Sequence, residues 1–137
     1  MTALDHRVHQ LATEPNFATL TTLLDDGSPV ASVMWIDADD ESLLINTERH
    51  RLKFRNVRRD PRVQVLIIDR SDPGHYAAVR GVVEDHVFGE GAREHINKLS
   101  MRYEGQPFDL SNVVSERVIL RIQPIRQRVR LSGVVGE

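Results

Sequence analysis

The sequence contains no cysteine, which excludes a disulfide framework, a thiol nucleophile and any thiolate metal site. Aromatic residues supply only 5% of the chain and the formal net charge is −2, so composition points neither to a nucleic-acid binder nor to an acidic disordered tail. A long apolar run is missing as well. Met1 to Thr13 carries Asp5, His6 and Arg7, which excludes an ordinary signal peptide or membrane span and leaves a soluble cytoplasmic protein as the expectation. No serine-hydrolase, zincin or glycine-rich nucleotide motif occurs, nor any internal repeat, linker or low-complexity segment. His6 and His9 share a helix face without a third ligand at zinc spacing, so they are read as rim histidines and no metal site is assigned. A chain of 137 residues is read as one domain, residues 1–137, large enough for a core but small for enclosing a big ligand alone. That size suits a site shared between subunits.

What the chain does have is a concentrated basic stretch from Asn46 to Val63, in which seven residues between Arg49 and Arg62 are Arg or Lys. An apolar run from Leu43 to Ile45 precedes it and another from Val63 to Ile68 follows, while Leu52, Phe54 and Val57 between them suit a short helix stopped before Pro61. Arg51 and Lys53 fall near the helix start, where free backbone N–H groups favour an anion, and Thr47 adds a hydroxyl donor. A phosphate suits that spot. The competing reading is that the basic residues form a solvated helix face.

Elsewhere the pattern is mostly that of strands. Leu4, Val8, Leu11 and Ala12 predict a first helix that ends before Pro15, and Phe17–Leu24 and Val30–Ile36 flank the turn Asp25-Asp26-Gly27-Ser28-Pro29 as a hairpin. In its second strand Ser32 and Met34 take one face, Val33 and Trp35 the other. Trp35 reads either as core or as a wall for a flat aromatic ligand. Asp37–Glu41 reads as an acidic turn before a strand over Ser42–Thr47, and the continuous apolar centre of Arg62–Asp69 predicts a strand buried on both faces. A long strand over His75–Val87 contains Gly81 as a bend, a helix runs from about Glu90 to Glu104 with Gly105 as its stop, and Val118, Leu120 and Ile122 mark a strand that Pro124 interrupts or ends, with a short piece at Arg128–Leu131. The architecture expected is mainly β, an antiparallel barrel with attached helices.

Phe17-Ala18-Thr19-Leu20-Thr21-Thr22, Asp26-Gly27-Ser28-Pro29, Val33-Met34-Trp35, and Lys53 with Arg55-Asn56-Val57-Arg58-Arg59-Asp60-Pro61-Arg62-Val63 form an ordered set, continued by Arg80-Gly81-Val82-Val83-Glu84 and Tyr103-Glu104-Gly105. The set resembles the pyridoxamine-phosphate-oxidase-like split-barrel family, and more closely its actinobacterial branch that uses the deazaflavin coenzyme F420. The resemblance implies a homodimeric FMN-binding split barrel, with cofactor sites at the subunit interface and F420 (alternatively FMN) as cofactor. It places the ring along Ser32, Val33, Met34 and Trp35, and the phosphate at Asn46, Thr47, Arg51 and Lys53. Asn56 matches a family position whose role is either contact or bracing of the loop, and His75 and Tyr76 fall near the site completed by the other subunit. The basic C-terminal substrate-phosphate motif of true pyridoxamine-phosphate oxidases is missing from Leu131–Glu137, which argues against vitamin B6 oxidation. Three functions follow: an F420-dependent reductase of electron-poor substrates such as enones, an FMN oxidoreductase, or a non-catalytic flavin, deazaflavin or haem carrier.

Overall fold

The computed structural model describes residues 3–132, so Gly133–Glu137 of the C-terminal segment lie outside the described residues. The elements are α1 (His6–Thr13), β1 (Phe17–Leu23), β2 (Pro29–Met34), β3 (Asp37–Ala38), β4 (Leu43–Glu48), α2 (Leu52–Arg59), β5 (Arg62–Ile68), β6 (Tyr76–Phe88), α3 (Glu90–Glu104) and β7 (Arg117–Arg130), with a 3₁₀ turn at Leu110–Asn112. All seven strands join one sheet in the order β2-β1-β5-β6-β7-β4-β3, and every pairing is antiparallel. Its inner face carries one continuous core built from Leu20, Ile45, Val65, Ile67, Val79, Leu120 and Ile122 among others, and α1 adds Val8, Leu11 and Ala12 to it. Asp5 caps α1 by accepting the Arg7 amide at 2.8 Å.

One strand departs from its expected environment. β5 alternates buried and open residues and so has one covered face, because Gln64, Leu66 and Ile68 point to the outer side where no helix lies. The strand buried on both faces is β4: Leu43, Ile45 and Thr47 face the core while Leu44, Asn46 and Glu48 lie beneath α3 and the loop that follows it. Apolar content alone misread which strand the helix covers. α3 itself ends as expected at Gly105, whose φ of 74° is the left-handed cap conformation that spares a Cβ clash.

The acidic turn proposed at Asp37–Glu41 also needs correction, since Asp37 and Ala38 form β3 and Asp37 is only 1% exposed. Its carboxylate is tolerated there because three residues on α3 converge on it: His95 at 3.0 Å, Lys98 at 3.2 Å and Arg102 at 3.0 Å. Likewise Pro124 does not end its strand. β7 continues to Arg130 through a bulge at Ile125, after which Arg126 pairs with Arg80. Gly81 permits this crossing, for a Cβ there would sit 2.7 Å from both the Gln123 carbonyl oxygen and the Ile122 Cγ2.

Candidate functional site

A cleft of about 320 Å³ opens where the end of β2, the start of α2 and the loop after α3 meet. Val33, Met34 and Trp35 form one wall, Asn46 and Arg117 the polar floor, Arg51 one rim, and Phe108 the opposite side. Trp35 is held flat by Tyr103, with ring centroids 5.1 Å apart and planes within 7°. Tyr103 is fixed in turn. Its hydroxyl accepts the Ile36 amide at 3.1 Å and donates to the Asn16 carbonyl, and burial raises its pKa above the ordinary phenol value.

The floor is a closed polar network. The Asn46 amide nitrogen donates to the Ala92 carbonyl at 2.8 Å and to His95 Nδ1 at 3.1 Å, and its oxygen accepts from Arg117 Nε at 2.9 Å. With Nδ1 accepting, the imidazole proton sits on Nε2 and donates to Asp37. Glu48 takes the Val114 and Ser115 amides at 2.7 and 2.9 Å and faces Arg117 NH1 at 3.5 Å, which ties the loop over the cleft to β4. Arg117, only 9% exposed at its side chain, is further braced over the Phe108 ring at 5.2 Å.

The rim differs in having cations without carboxylates. Of the seven basic residues in the stretch, Arg49, Arg59 and Arg62 make ion pairs with Glu116, Asp25 and Asp60. Arg51, Lys53 and Arg55 meet no carboxylate among the described residues, and Arg58 lies over the Phe54 ring. Burial and then the neighbouring Arg51 charge lower the Lys53 pKa; burial also lowers that of Arg117, opposed by Glu48 and reinforced by Arg51. Arg51 thus couples to both, and the three define one electropositive spot. Arg51 is the N-cap of α2 with no side-chain cap bond, so the first-turn amides of Leu52 and Lys53 remain without a capping acceptor.

The match to the family model named pyridoxamine 5'-phosphate oxidase runs over residues 4–130. The chain belongs to that family. No curated protein matches it significantly, but solved structures do. One named F420 reductase is 30% identical, with a TM-score of 0.79 over 91% of this chain and 98% of that one. A conserved hypothetical protein of Mycobacterium tuberculosis is 24% identical, with a TM-score of 0.72 over 100% and 93% of the two chains. A putative pyridoxamine 5'-phosphate oxidase of Listeria innocua is also 24% identical, with a TM-score of 0.62 over 87% and 90%. The last two speak to the fold alone.

Of the family positions read from the sequence, Val33, Met34, Trp35, Asn46 and Arg51 line the cleft together, whereas Lys53, half-buried two residues beyond Arg51, is not among its lining residues. Ser32 directs its hydroxyl to the Met34 sulfur at 3.8 Å. Thr47 is buried on the core-facing side of β4 and is not among the residues that line the cleft. Asn56 is not brought to the cleft: its amide donates to Thr22 at 3.0 Å and accepts from Arg59 at 3.1 Å, bracing α2 against β1. His75 pairs with Asp69 at 2.9 Å. Sequence reasoning missed His95, Phe108, Tyr103 and Arg117 as parts of the site. Tyr103 left a trace as part of the Tyr103-Glu104-Gly105 match and Arg117 as the polar partner in an alternating strand, but nothing in that alternation distinguishes a solvent-facing arginine from one beneath a helix.

Proposed function

We propose that the protein is an F420-dependent oxidoreductase, a reductase that passes hydride from reduced deazaflavin to an electron-poor small organic substrate such as an enone. The observation that carries this reading is the Arg51–Lys53 pair, an exposed arginine beside a half-buried lysine with no carboxylate among the described residues, at the open start of α2 beside the Trp35 wall. Two adjacent cations in a partly dry place favour a bound dianion, and the first-turn amides add donors aimed at it. Arg51 and Lys53 hold the phosphate, while Ser32, Val33, Met34 and Trp35 lie along the ring. Asn46 fixes the Arg117 guanidinium at the floor, and Asn56 keeps α2 at its angle to β1. When bound, the reduced deazaflavin supplies hydride from its ring carbon, so the chain needs only to position the two reactants and exclude water. The 30% identity to a structure named F420 reductase supports this choice over FMN.

The site is completed by a second copy. Val33 is 68% exposed and Phe17 42% exposed at the cleft edge, and a homodimer that covers them accounts for apolar side chains in open water. Sedimentation equilibrium at micromolar concentration should give twice the chain mass; a monomer that still binds cofactor defeats the shared site.

Cofactor choice is tested by titrating F420, its tail-less deazaflavin parent and FMN, followed by oxidation of reduced F420 with cyclohexenone. Lys53→Ala should weaken F420 binding about 10-fold to 100-fold, the loss of one charge-assisted hydrogen bond. Unchanged binding by folded Lys53→Ala makes the stretch a solvated face. Tighter FMN binding moves the reading to an FMN oxidoreductase, and tight F420 binding without turnover moves it to a carrier.

A further inference from the structure

Arg117 carries a charge that phosphate binding at Arg51 and Lys53 leaves unused. Its side chain is only 9% exposed, yet it lines the cleft together with Trp35, Ile96 and Phe108. Nε is taken by the Asn46 oxygen at 2.9 Å, whereas Nη1 stands 3.5 Å from Glu48 Oε2, too long for a charge-assisted hydrogen bond. Nη2 has no hydrogen-bond partner among the described residues, and neither outer nitrogen is sealed away from the cleft. A guanidinium nine-tenths buried thus presents its outer edge to an apolar slot. Once a flat ligand drives water from that slot, those donors need an acceptor on the ligand itself.

The guanidinium is fixed before any ligand arrives. Asn46 holds Nε, His95 Nδ1 and the Ala92 carbonyl hold the Asn46 amide nitrogen, and Asp37 takes the His95 Nε2 proton at 3.0 Å. The Phe108 ring lies 5.2 Å from the guanidinium carbon and covers one of its faces. Preorganisation of this kind spares the ordering cost that a long side chain otherwise bears on binding. Charge sets the spot apart from the rim. Arg51 and Lys53 suit a dianion, whereas Glu48 already offsets part of the Arg117 charge and repels a second negative charge placed beside it. One carboxylate fits there, and a phosphate dianion does not.

We infer that Arg117 determines substrate specificity in the cleft, selecting a flat, apolar acceptor that carries a single carboxylate at one end. The Nη1–Nη2 edge takes the two carboxylate oxygens through parallel N–H donors, while Met34, Trp35, Ile96 and Phe108 enclose the apolar body. A cleft of about 320 Å³ suits one ring with a short unsaturated arm. On the reductase function proposed above, on which this selection rests, the electron-poor substrates that the enzyme takes are acidic ones.

Trp35 is the only tryptophan and a wall of the cleft, so its fluorescence reports occupancy when the full chain is titrated with trans-cinnamate, its neutral isostere cinnamamide and phenyl phosphate. Cinnamate should bind the wild type about 10-fold tighter than cinnamamide, the worth of one charge-assisted contact. Arg117→Gln should abolish that preference and Arg117→Lys should keep part of it, whereas Arg93→Ala, which removes an exposed charge from α3, should leave it unchanged. Equal binding of the two by the wild type overturns the assignment whether or not the variants fold. So does weakening of both ligands alike in Arg117→Gln, the mark of a purely structural arginine, or tighter binding of phenyl phosphate that Arg117→Gln removes. Turnover separates this selection from the reductase function. With reduced F420, para-carboxybenzylideneacetone should show a KM about 10-fold below that of its methyl ester at similar kcat, a difference lost in Arg117→Gln. Acid-selective binding without turnover of either compound would sink the reductase and keep the acid site; turnover of both at equal KM, with no acid preference in binding, would sink the acid site and keep the reductase.

Discussion

The outer face of the sheet has two halves that treat charge in opposite ways. Beneath α3 and its following loop, Asp37 meets His95, Lys98 and Arg102, and Glu48 meets Arg117 and two backbone amides. Across β5, β6 and the far end of β7, Arg80, Arg126 and Arg128 stand in the open without partners among the described residues. Coverage explains the difference, because a buried charge left unpaired is costly whereas water screens an exposed one. The Trp35 cleft lies at the border. Its floor, Asn46 and Arg117, belongs to the paired half and is immobile, while its rim, Arg51 and Lys53, keeps cations free for a ligand.

The sharpest way to break this contrast is Asp37→Asn, which keeps the side chain's shape and removes the charge on which three α3 residues converge. A loss of about 3–5 kcal/mol in urea unfolding is expected, the cost of breaking a buried ion pair from one side. A loss below about 1 kcal/mol would show that Ala92, Ile96 and Leu99 alone hold the helix. Burial raises the Asp37 carboxyl, but the His95 hydrogen bond, the Ala38 amide and the charges of Arg102 and Lys98 outweigh it and hold the pKa well below the usual range. Its contribution is therefore complete above about pH 4, the ordinary carboxylate pKa, and fades as pH falls below it.

Next in size is Gly81→Ala. The new Cβ must displace the backbone at Gln123, which should cost about 2 kcal/mol and shift the bulge that orients Arg126. Urea unfolding is the readout, and a loss below about 0.5 kcal/mol would show that the backbone at Gln123 yields without cost. Tyr103→Phe comes third. Deleting the hydroxyl leaves the Ile36 amide without that partner, an expected loss of about 1 kcal/mol, and frees the ring that holds Trp35 flat. Trp35 fluorescence anisotropy is the readout: faster ring motion confirms the clamp, and unchanged motion assigns Trp35 rigidity to its other neighbours.

Much of this was legible in the residues before any coordinates. The hairpin, the basic α2 and the α3 stop at Gly105 follow from alternation, helix period and turn chemistry, and those are local properties. Arg51 came from its place at a basic helix start, Trp35 from its place near a strand end, and Asn46, Val33 and Met34 from family resemblance, and all five line one cleft. What stayed hidden was non-local. Asp37 reads as a turn residue until α3 is seen above it, β4 and β5 cannot be told apart until it is known which one a helix covers, and the outward turn of Arg126 depends on one unpaired residue, Ile125.

The smallest expected effect comes from a hydrogen-bonded pair in the β5–β6 turn, and it sharpens the comparison. Asp69 meets His75 at 2.9 Å and also takes the Ser71 amide and hydroxyl at 2.9 and 2.8 Å. The His75 hydrogen bond, then those from Ser71, bring its carboxyl down from 3.8 to about 2. The sign matches Asp37: a depressed folded-state pKa gives stability that is present above the ordinary value and lost as pH falls through about 2. The size should not match, because Asp69 is 24% exposed and water competes for every one of its contacts. Asp69→Asn should therefore cost only about 0.5–1 kcal/mol at neutral pH and progressively less as pH falls through about 2, read by urea unfolding across that range. A cost equal to that of Asp37→Asn would mean that geometry, not coverage by α3, sets the strength of these pairs, and the division of the sheet into two halves would fail.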